Sequence, residues 1–204
     1  EKNETIRFGL TTIKNFGEGI SHVITAERKE NGKFKSLEDF LTRIQDRNLN
    51  KKSLEALVKS GAFDNFGERG QMLANTETFL EYSKEAVGNK NQDSLFSATP
   101  SFDYSPLHLT PSNPATPTER LAWEKELLGL YVSGHPLDQF KEKLQNQKNS
   151  IKKIKESAKE NEIVIVGGLI ENMRDILTKN GDKMFFIKFV DLTDEIELVV
   201  FPRV

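Results

Sequence analysis

Three groups of residues in this chain have types and spacings that could do chemistry. The first is "KNFGEGI", residues 14–20, where Gly17 and Gly19 flank Glu18 just ahead of an apolar run. Two glycines let a backbone come close to a flat anionic surface. The N–H groups that open the next helix point outward, and the helix dipole favours an anion there. Lys14, His22 and Arg28 are near enough in sequence to add phosphate contacts. Glu18 is unfavourable for that role unless its carboxylate turns to solvent or bonds back to a helix end. The same spacing also suits a plain tight turn between helices, and His22 alone reads equally as a surface residue.

The second group is "QDSLF", which places Gln92 three residues before Leu95 and Phe96 in a stretch otherwise made of Gly, Asn, Ser, Thr and Pro. An extended peptide can present two adjacent apolar anchors to a partner's pocket while a Gln amide bonds at the rim. Burying each anchor stabilises by about 1.5–3 kcal/mol, partly offset by ordering the peptide. The alternative is that both fold back onto a neighbouring helical domain. The third group is the aromatic and basic run from Arg174 to Phe189. Phe185, Phe186 and Phe189 alternate there with Lys183 and Lys188, and Lys179 lies in a turn. Such a surface can stack bases over a basic groove. Strand alternation sends only some of these rings outward, and core filling suits Phe186, with Met184 on its face. Single-strand candidates are therefore Arg174, Lys179, Lys183, Phe185 and Lys188. The acidic runs "EKE" (124–126) and "DEIE" (194–197) contain no Asp-x-Asp pair that could clamp cations, and both read as solvated faces and turns. No catalytic and no metal-binding residue is assigned.

The elements that must position these residues follow from periodicity. Ile6, Leu10 and Ile13 have helical spacing, then Ile20, Val23 and Ile24 after the glycine bend. Ser36 is a suitable N-cap for a helix with Leu37, Phe40, Leu41 and Ile44 inward. Leu54, Leu57 and Val58 mark a further helix, and Met72, Leu73, Phe79 and Leu80 the next helical region. Residues 1–86 are thus expected to be all-helical, as two helix–turn–helix pairs. Residues 87–117 contain most of the chain's seven prolines and read as a flexible tether. Residues 118–161 read as a helical connector, capped by Thr118 and ending near "SGHPL", followed by a lysine-rich segment. From Glu162 the composition turns β-branched and aromatic. Three strands are expected, at 163–174, 183–190 and 195–201, with "TKNGDK" as a hairpin turn in which Asn-Gly supplies positive φ. The fold class is α+β.

Composition sets outer limits. Hydrophobic residues make up 36% and charged residues 29%, with a net charge of −2. No apolar run is long enough to span a membrane, and no membrane partner is expected. Cysteine is absent, which removes disulfides and thiolate metal sites and agrees with a cytoplasmic setting. The chain starts at Glu1 with no secretory signal and reads as an excerpt. The lysines of 141–160 suit either a solubilising face or a phosphate backbone.

"IRFGLTTIKNFGEGISHVITAER", "FKSLEDFLTRI", "NKKSLEALVKSGAFD", "RLAWEKELLGLYVSGHPL" and "GGLIENMRDILTKNGDKMFFIKFVDLTDEIELVVFP" together resemble, in order, stretches of the bacterial replicative family-C DNA polymerases. The resemblance covers nearly the whole chain. It implies that 1–86 is the end of the fingers and a tandem helix-hairpin-helix domain, which holds duplex DNA by its phosphates. Its second, degenerate hairpin falls at "NKKSLEALVKSGAFDNFG", with Gly61 as phosphate-binding candidate. It implies that Gln92, Leu95 and Phe96 contact the beta sliding clamp, and that 162–204 supplies the first strands of an OB-type barrel, for which single-stranded template is a candidate ligand. The polymerase active site with its Mg2+ would lie upstream of Glu1, with no cofactor in this piece. Other replisome subunits would be met through the parent. A stand-alone helical scaffold without nucleic-acid binding, or a translesion relative, are the competing readings.

Overall fold

The computed structural model describes residues 8–90, 106–147 and 149–202. The chain divides into two compact units, Glu1–Ser133 and Gly134–Val204. Helices fill the first unit, and short helices with a three-stranded antiparallel sheet make up the second, which is the expected α+β layout.

In the first unit, a 3-10 turn at Leu10–Thr12 precedes α1 (Glu18–Asn31). Helical spacing from Ile6 to Ile13 suggested a longer helix. Among the described residues the chain instead leaves helical geometry at Ile13, so that Ile13 and Phe16 are both buried on either side of the projecting Lys14 and Asn15. Ser36 opens α2 (Leu37–Arg43) by accepting the Asp39 N–H, as its sequence position suggested. α3 (Lys51–Lys59) starts with a reciprocal box in which Asn50 and Ser53 each accept the other's backbone N–H. α4 (Arg69–Ala74) and α5 (Thr76–Lys90) follow. The apolar stripes of these helices meet in one core. Phe40 packs edge-on against Phe34 and Phe63, with centroids 5.1 and 4.8 Å away.

The expected connector 118–161 is not one piece. α6 (Pro117–Leu128) belongs to the first unit, because Leu127 is buried in the same core and its carbonyl accepts the Lys14 N–H at 2.8 Å. Its N-cap is Thr116, boxed with Glu119 and followed by Pro117, rather than Thr118. It stops at Gly129, before the "SGHPL" turn. Glu124, from the acidic run read as a solvated face, is 0% exposed. It accepts from the Arg69 guanidinium at 2.9 Å and from the Val132 and Ser133 N–H groups at 2.7 and 2.9 Å. Arg69 is 4% exposed and also holds Asp64 at 2.7 Å. Burial works to raise the Glu124 carboxyl, but these donors outweigh it and hold it below the usual carboxylate range.

The downstream part of the expected tether is likewise docked. Leu107 and Leu109 pack on the core. The Thr110 backbone exchanges two hydrogen bonds with the buried Asn75 amide, and the Ala115 N–H reaches Glu68 at 2.8 Å.

In the second unit, α7 (Lys141–Gln145) and α8 (Ile151–Ser157) precede β1 (Leu169–Leu177), β2 (Lys183–Val190) and β3 (Glu195–Val200), in sheet order β1-β2-β3. β1 begins six residues later than the pattern at 163 suggested. Residues 163–168 form no ladder among the described residues, and a register shift interrupts β1 between Ile170 and Asn172. In the β1–β2 turn only Gly181 takes positive φ (85°). The turn closes through Gly181 N–H to Thr178 O and Thr178 N–H to Asp182 O, so it is a longer loop than a two-residue Asn-Gly turn. Asp191 organises the β2–β3 turn by accepting from Thr193 and Asp194, and it caps α8 through the Ile151 N–H at 2.7 Å.

Candidate nucleic-acid interface

The glycine bend is on the outside of the first unit. Ile13, Phe16 and Ile20 are anchored in the core, while Lys14, Gly17, Glu18 and Gly19 are exposed between them. Gly17 is the N-cap of α1 with φ −70° and ψ 142°, extended geometry open to any residue. A methyl at 17 would touch only Ile20, at 4.0 Å, and one at 19 would meet the Asn48 amide at 3.7 Å, an ordinary contact. Neither backbone strain nor internal crowding therefore explains the two glycines. They do leave the outward approach clear. Gly17 has no side chain to cap the helix, so no capping side chain occupies the first N–H groups of α1. Glu18 finds no partner among the described residues and projects from the first turn, where the helix dipole favours a carboxylate.

The bend thus brings together Lys14, Gly17 and Gly19. His22 lies one turn further along α1 and is exposed. Arg28 is exposed too, but it sits in the last turn, about 15 Å along the helix axis from Glu18. Gly61 has a different setting. It ends α3 with φ 81°, donates its N–H to Val58 O, and a methyl there would collide with the Arg69 guanidinium and approach Asp64. Its glycine has an internal reason, the buried Arg69 guanidinium that Glu124 and the exposed Asp64 hold in place.

Sequence reading placed Ile44 in the helix opened by Ser36 and passed over residues 45–49; α2 in fact ends at Arg43. Ile44 and Leu49 are buried on either side of exposed Arg47 and Asn48, and α3 follows at once. This repeats the design of the first bend: an apolar anchor, a short projecting loop, a second anchor and a helix start. The proximity of Gly19 to Asn48 sets the two loops side by side. Lys51 is tied to Glu77 at 2.7 Å, while Lys52 is exposed beside it with no ion pair among the described residues. The available signal was the Asn50/Ser53 cap that marks a helix start at 51, which makes 44–50 a loop between helices.

The sheet of the second unit separates two faces. Cross-strand partners place Phe186 with Arg174 and Val199, and Lys188 with Asn172 and Glu197. Phe185, Ile187 and Phe189 alternate onto the opposite face, beside Met173, Leu198 and Ile196. The ring among the cations is therefore Phe186, not Phe185. Arg174 stands 5.4 Å from its centroid. The groove on this face has a volume of about 490 Å³. Its charge is mixed. Lys188 is held by Glu171 and Glu195 at 2.9 and 2.8 Å, and these bonds, Glu195 first, raise its pKa. On the opposite face Lys183 pairs with Asp175 at 3.2 Å, and Lys179 is exposed in the turn.

Gln92, Leu95 and Phe96 lie outside the described residues. The described residues include no cluster of three or more His, Asp or Glu able to hold a metal ion. No described helix is long and apolar enough to cross a membrane.

A family model described as a helix-hairpin-helix motif matches residues 1–72. The DNA polymerase III subunit alpha of Aquifex aeolicus is 39% identical over 205 residues, covering 100% of this chain and 16% of the relative. Those of Borreliella burgdorferi and Bacillus subtilis are 38% and 36% identical, covering 97% and 99% of this chain. The chain spans 16–18% of the length of these relatives.

Proposed function

We propose, for a chain that belongs along its whole length to the DNA polymerase III alpha family, that it grips duplex DNA by the phosphates for a replicative polymerase. The observation that carries this is the exposed Gly17–Gly19 bend, whose glycines nothing inside the protein requires and whose helix start has no capping side chain. A phosphate there would meet the first N–H groups of α1, with Lys14 alongside. Asn48 in the adjoining loop and Lys52 in the first turn of α3 extend the same edge toward a second phosphate. Such contacts read no bases, which suits a protein that must slide.

The rest of the reading concerns the longer protein. The parent carries out DNA replication as a DNA-directed DNA polymerase in the cytoplasm, its Mg2+ chemistry located outside these residues. Gln92, Leu95 and Phe96 bind the beta sliding clamp, and grip and clamp contact together raise the effective concentration of enzyme on its template. The domains are a tandem helix-hairpin-helix domain, a clamp-binding segment and the first strands of an OB-type barrel. The Arg174–Phe186 face of that barrel is the place for a single-stranded template. Lys188, neutralised between Glu171 and Glu195, leaves it a stacking surface more than an electrostatic one.

Fluorescence anisotropy with two duplexes of unrelated sequence over a salt series tests the grip. Equal affinities that fall steeply with salt are expected. No binding at low salt would overturn the reading in favour of a scaffold. Capture on the sliding clamp, lost on changing Gln92, Leu95 and Phe96 to Ala, tests the clamp contact; equal capture would remove it.

A further inference from the structure

We propose that α6 is a strut of the DNA grip: its last turn, together with a left-handed Asn15, sets the direction in which Lys14 projects. The helix-hairpin-helix family model ends at residue 72, and α6 begins only at Pro117, so the strut comes from outside the matched motif. Its use rests on the phosphate-grip reading; its geometry does not.

The bend ahead of α1 is closed through its backbone. The Phe16 N–H donates to Ile13 O at 3.1 Å, which leaves Lys14 and Asn15 as the two projecting corners of a four-residue turn. Asn15 has φ 65°, and among the described residues Asn161 is the one other non-glycine residue with positive φ. The left-handed region is disfavoured for a residue with a Cβ, although asparagine enters it more readily than most. A corner of this kind persists where its surroundings hold it.

The holding group comes from α6. The last carbonyls of a helix have no partner within it. Gly129 ends α6 with φ 77°, and its N–H turns back to Lys125 O at 3.1 Å. Leu127 O, in that last turn, takes the Lys14 N–H at 2.8 Å. Ile13, Phe16 and Leu127 are buried in one core, so packing fixes both ends of this bond. Glu124 and Arg120 tie the same helix to Arg69 and Glu68 at 2.9 and 3.0 Å, which sets the height and rotation of α6 and with them the position of Leu127 O. A lysine on a turn held at its own amide meets a phosphate with less ordering left to do than one on a loose turn.

Duplex affinity and amide hydrogen exchange on the full 204-residue chain test the strut. The Lys14 amide should exchange slowly in the parent chain. Asn15→Val puts a β-branched residue in left-handed geometry, and Asn15→Gly keeps that geometry. Asn15→Val is expected to weaken duplex binding about fivefold and to lower the salt slope by about one, as loss of Lys14 does, while Asn15→Gly stays within about twofold of the parent. Added to Lys14→Ala, Asn15→Val should cost no further affinity, because both act through one contact. An added Cβ at Gly129 meets nothing within 4 Å, so Gly129→Val disturbs α6 through its left-handed cap alone. It should speed Lys14 exchange by about tenfold or more and weaken duplex binding; Gly129→Asn should do neither. If Asn15→Val does not fold, the Gly129 pair decides. Fast Lys14 exchange in the parent, additive losses in the Lys14→Ala/Asn15→Val chain, or Lys14 exchange unchanged in Gly129→Val would overturn the strut. A parent chain that fails to bind duplex at low salt contradicts the grip reading instead, and Lys14 exchange in Gly129→Val then decides the α6 contact on its own.

Discussion

Two corners of the first unit carry glycines, and they use them in opposite directions. At 17 and 19 an added methyl meets open space or ordinary contact; at 61 and 70 it meets the Arg69 guanidinium or backbone. The inner corner trades side chains for packing, with the buried Arg69 guanidinium against Gly61 and the backbone of Asn113 and Ala115 over Gly70. The outer corner gains nothing inside the protein. Glycine spacing alone does not distinguish a surface kept clear for a ligand from a space filled by the protein itself, and the neighbours of the missing Cβ do.

The largest expected effect comes from breaking the inner corner. Glu124→Ala leaves Arg69 buried with one carboxylate fewer and the Val132 and Ser133 N–H groups without an acceptor. A loss of about 3–5 kcal/mol in urea unfolding is expected; a change below 1 kcal/mol would show that the cluster is not structural. Gly61→Val forces a β-branched residue into left-handed geometry against Arg69, and a loss of at least about 1–2 kcal/mol is expected by the same measurement. If Gly61 were there only for a phosphate, stability would hold and DNA affinity alone would fall.

Acid should act on the segment over Gly70, whose Ala115 N–H is held by Glu68. Burial works to raise the Glu68 carboxyl, but the N–H groups of Gln71, Gly70 and Ala115 and the Arg120 guanidinium outweigh it, lowering the pKa from 4.5 to about 2. A depressed carboxylate stabilises fully above its unfolded pKa and less as pH falls toward the folded one. Stability from Glu68 should therefore be lost between pH 4.5 and 2, and Glu68→Gln should flatten that part of the pH–stability curve. The smallest effect is at the outer corner. Lys14→Ala should weaken duplex binding uniformly across sequences and reduce the salt slope by about one, without changing the unfolding midpoint.

Much of the architecture was legible locally. Ser36 announced its helix by cap chemistry, the stripe of Leu54, Leu57 and Val58 announced α3, and β-branched and aromatic runs announced β2 and β3. What was missed depends on distant partners. Glu124 reads as surface because Arg69 lies 55 positions away. Residues 106–116 read as tether because proline and serine composition says nothing of the Asn75 amide that receives them. The loop between Ile44 and Leu49 was passed over because it has no glycine, although these two apolar residues imply the same projecting shape. Phe185 and Phe186 differ only by strand register, which adjacent sequence does not set.

The central claim is that the Gly17–Gly19 bend is kept smooth for a phosphate. The most direct measurement is duplex affinity of the Gly17→Val/Gly19→Val chain at fixed low salt, with thermal unfolding recorded alongside. The expected result is an affinity loss of about tenfold or more with a nearly unchanged midpoint, since a phosphate contact is removed and no internal contact is disturbed. Unchanged affinity in a folded variant would contradict it.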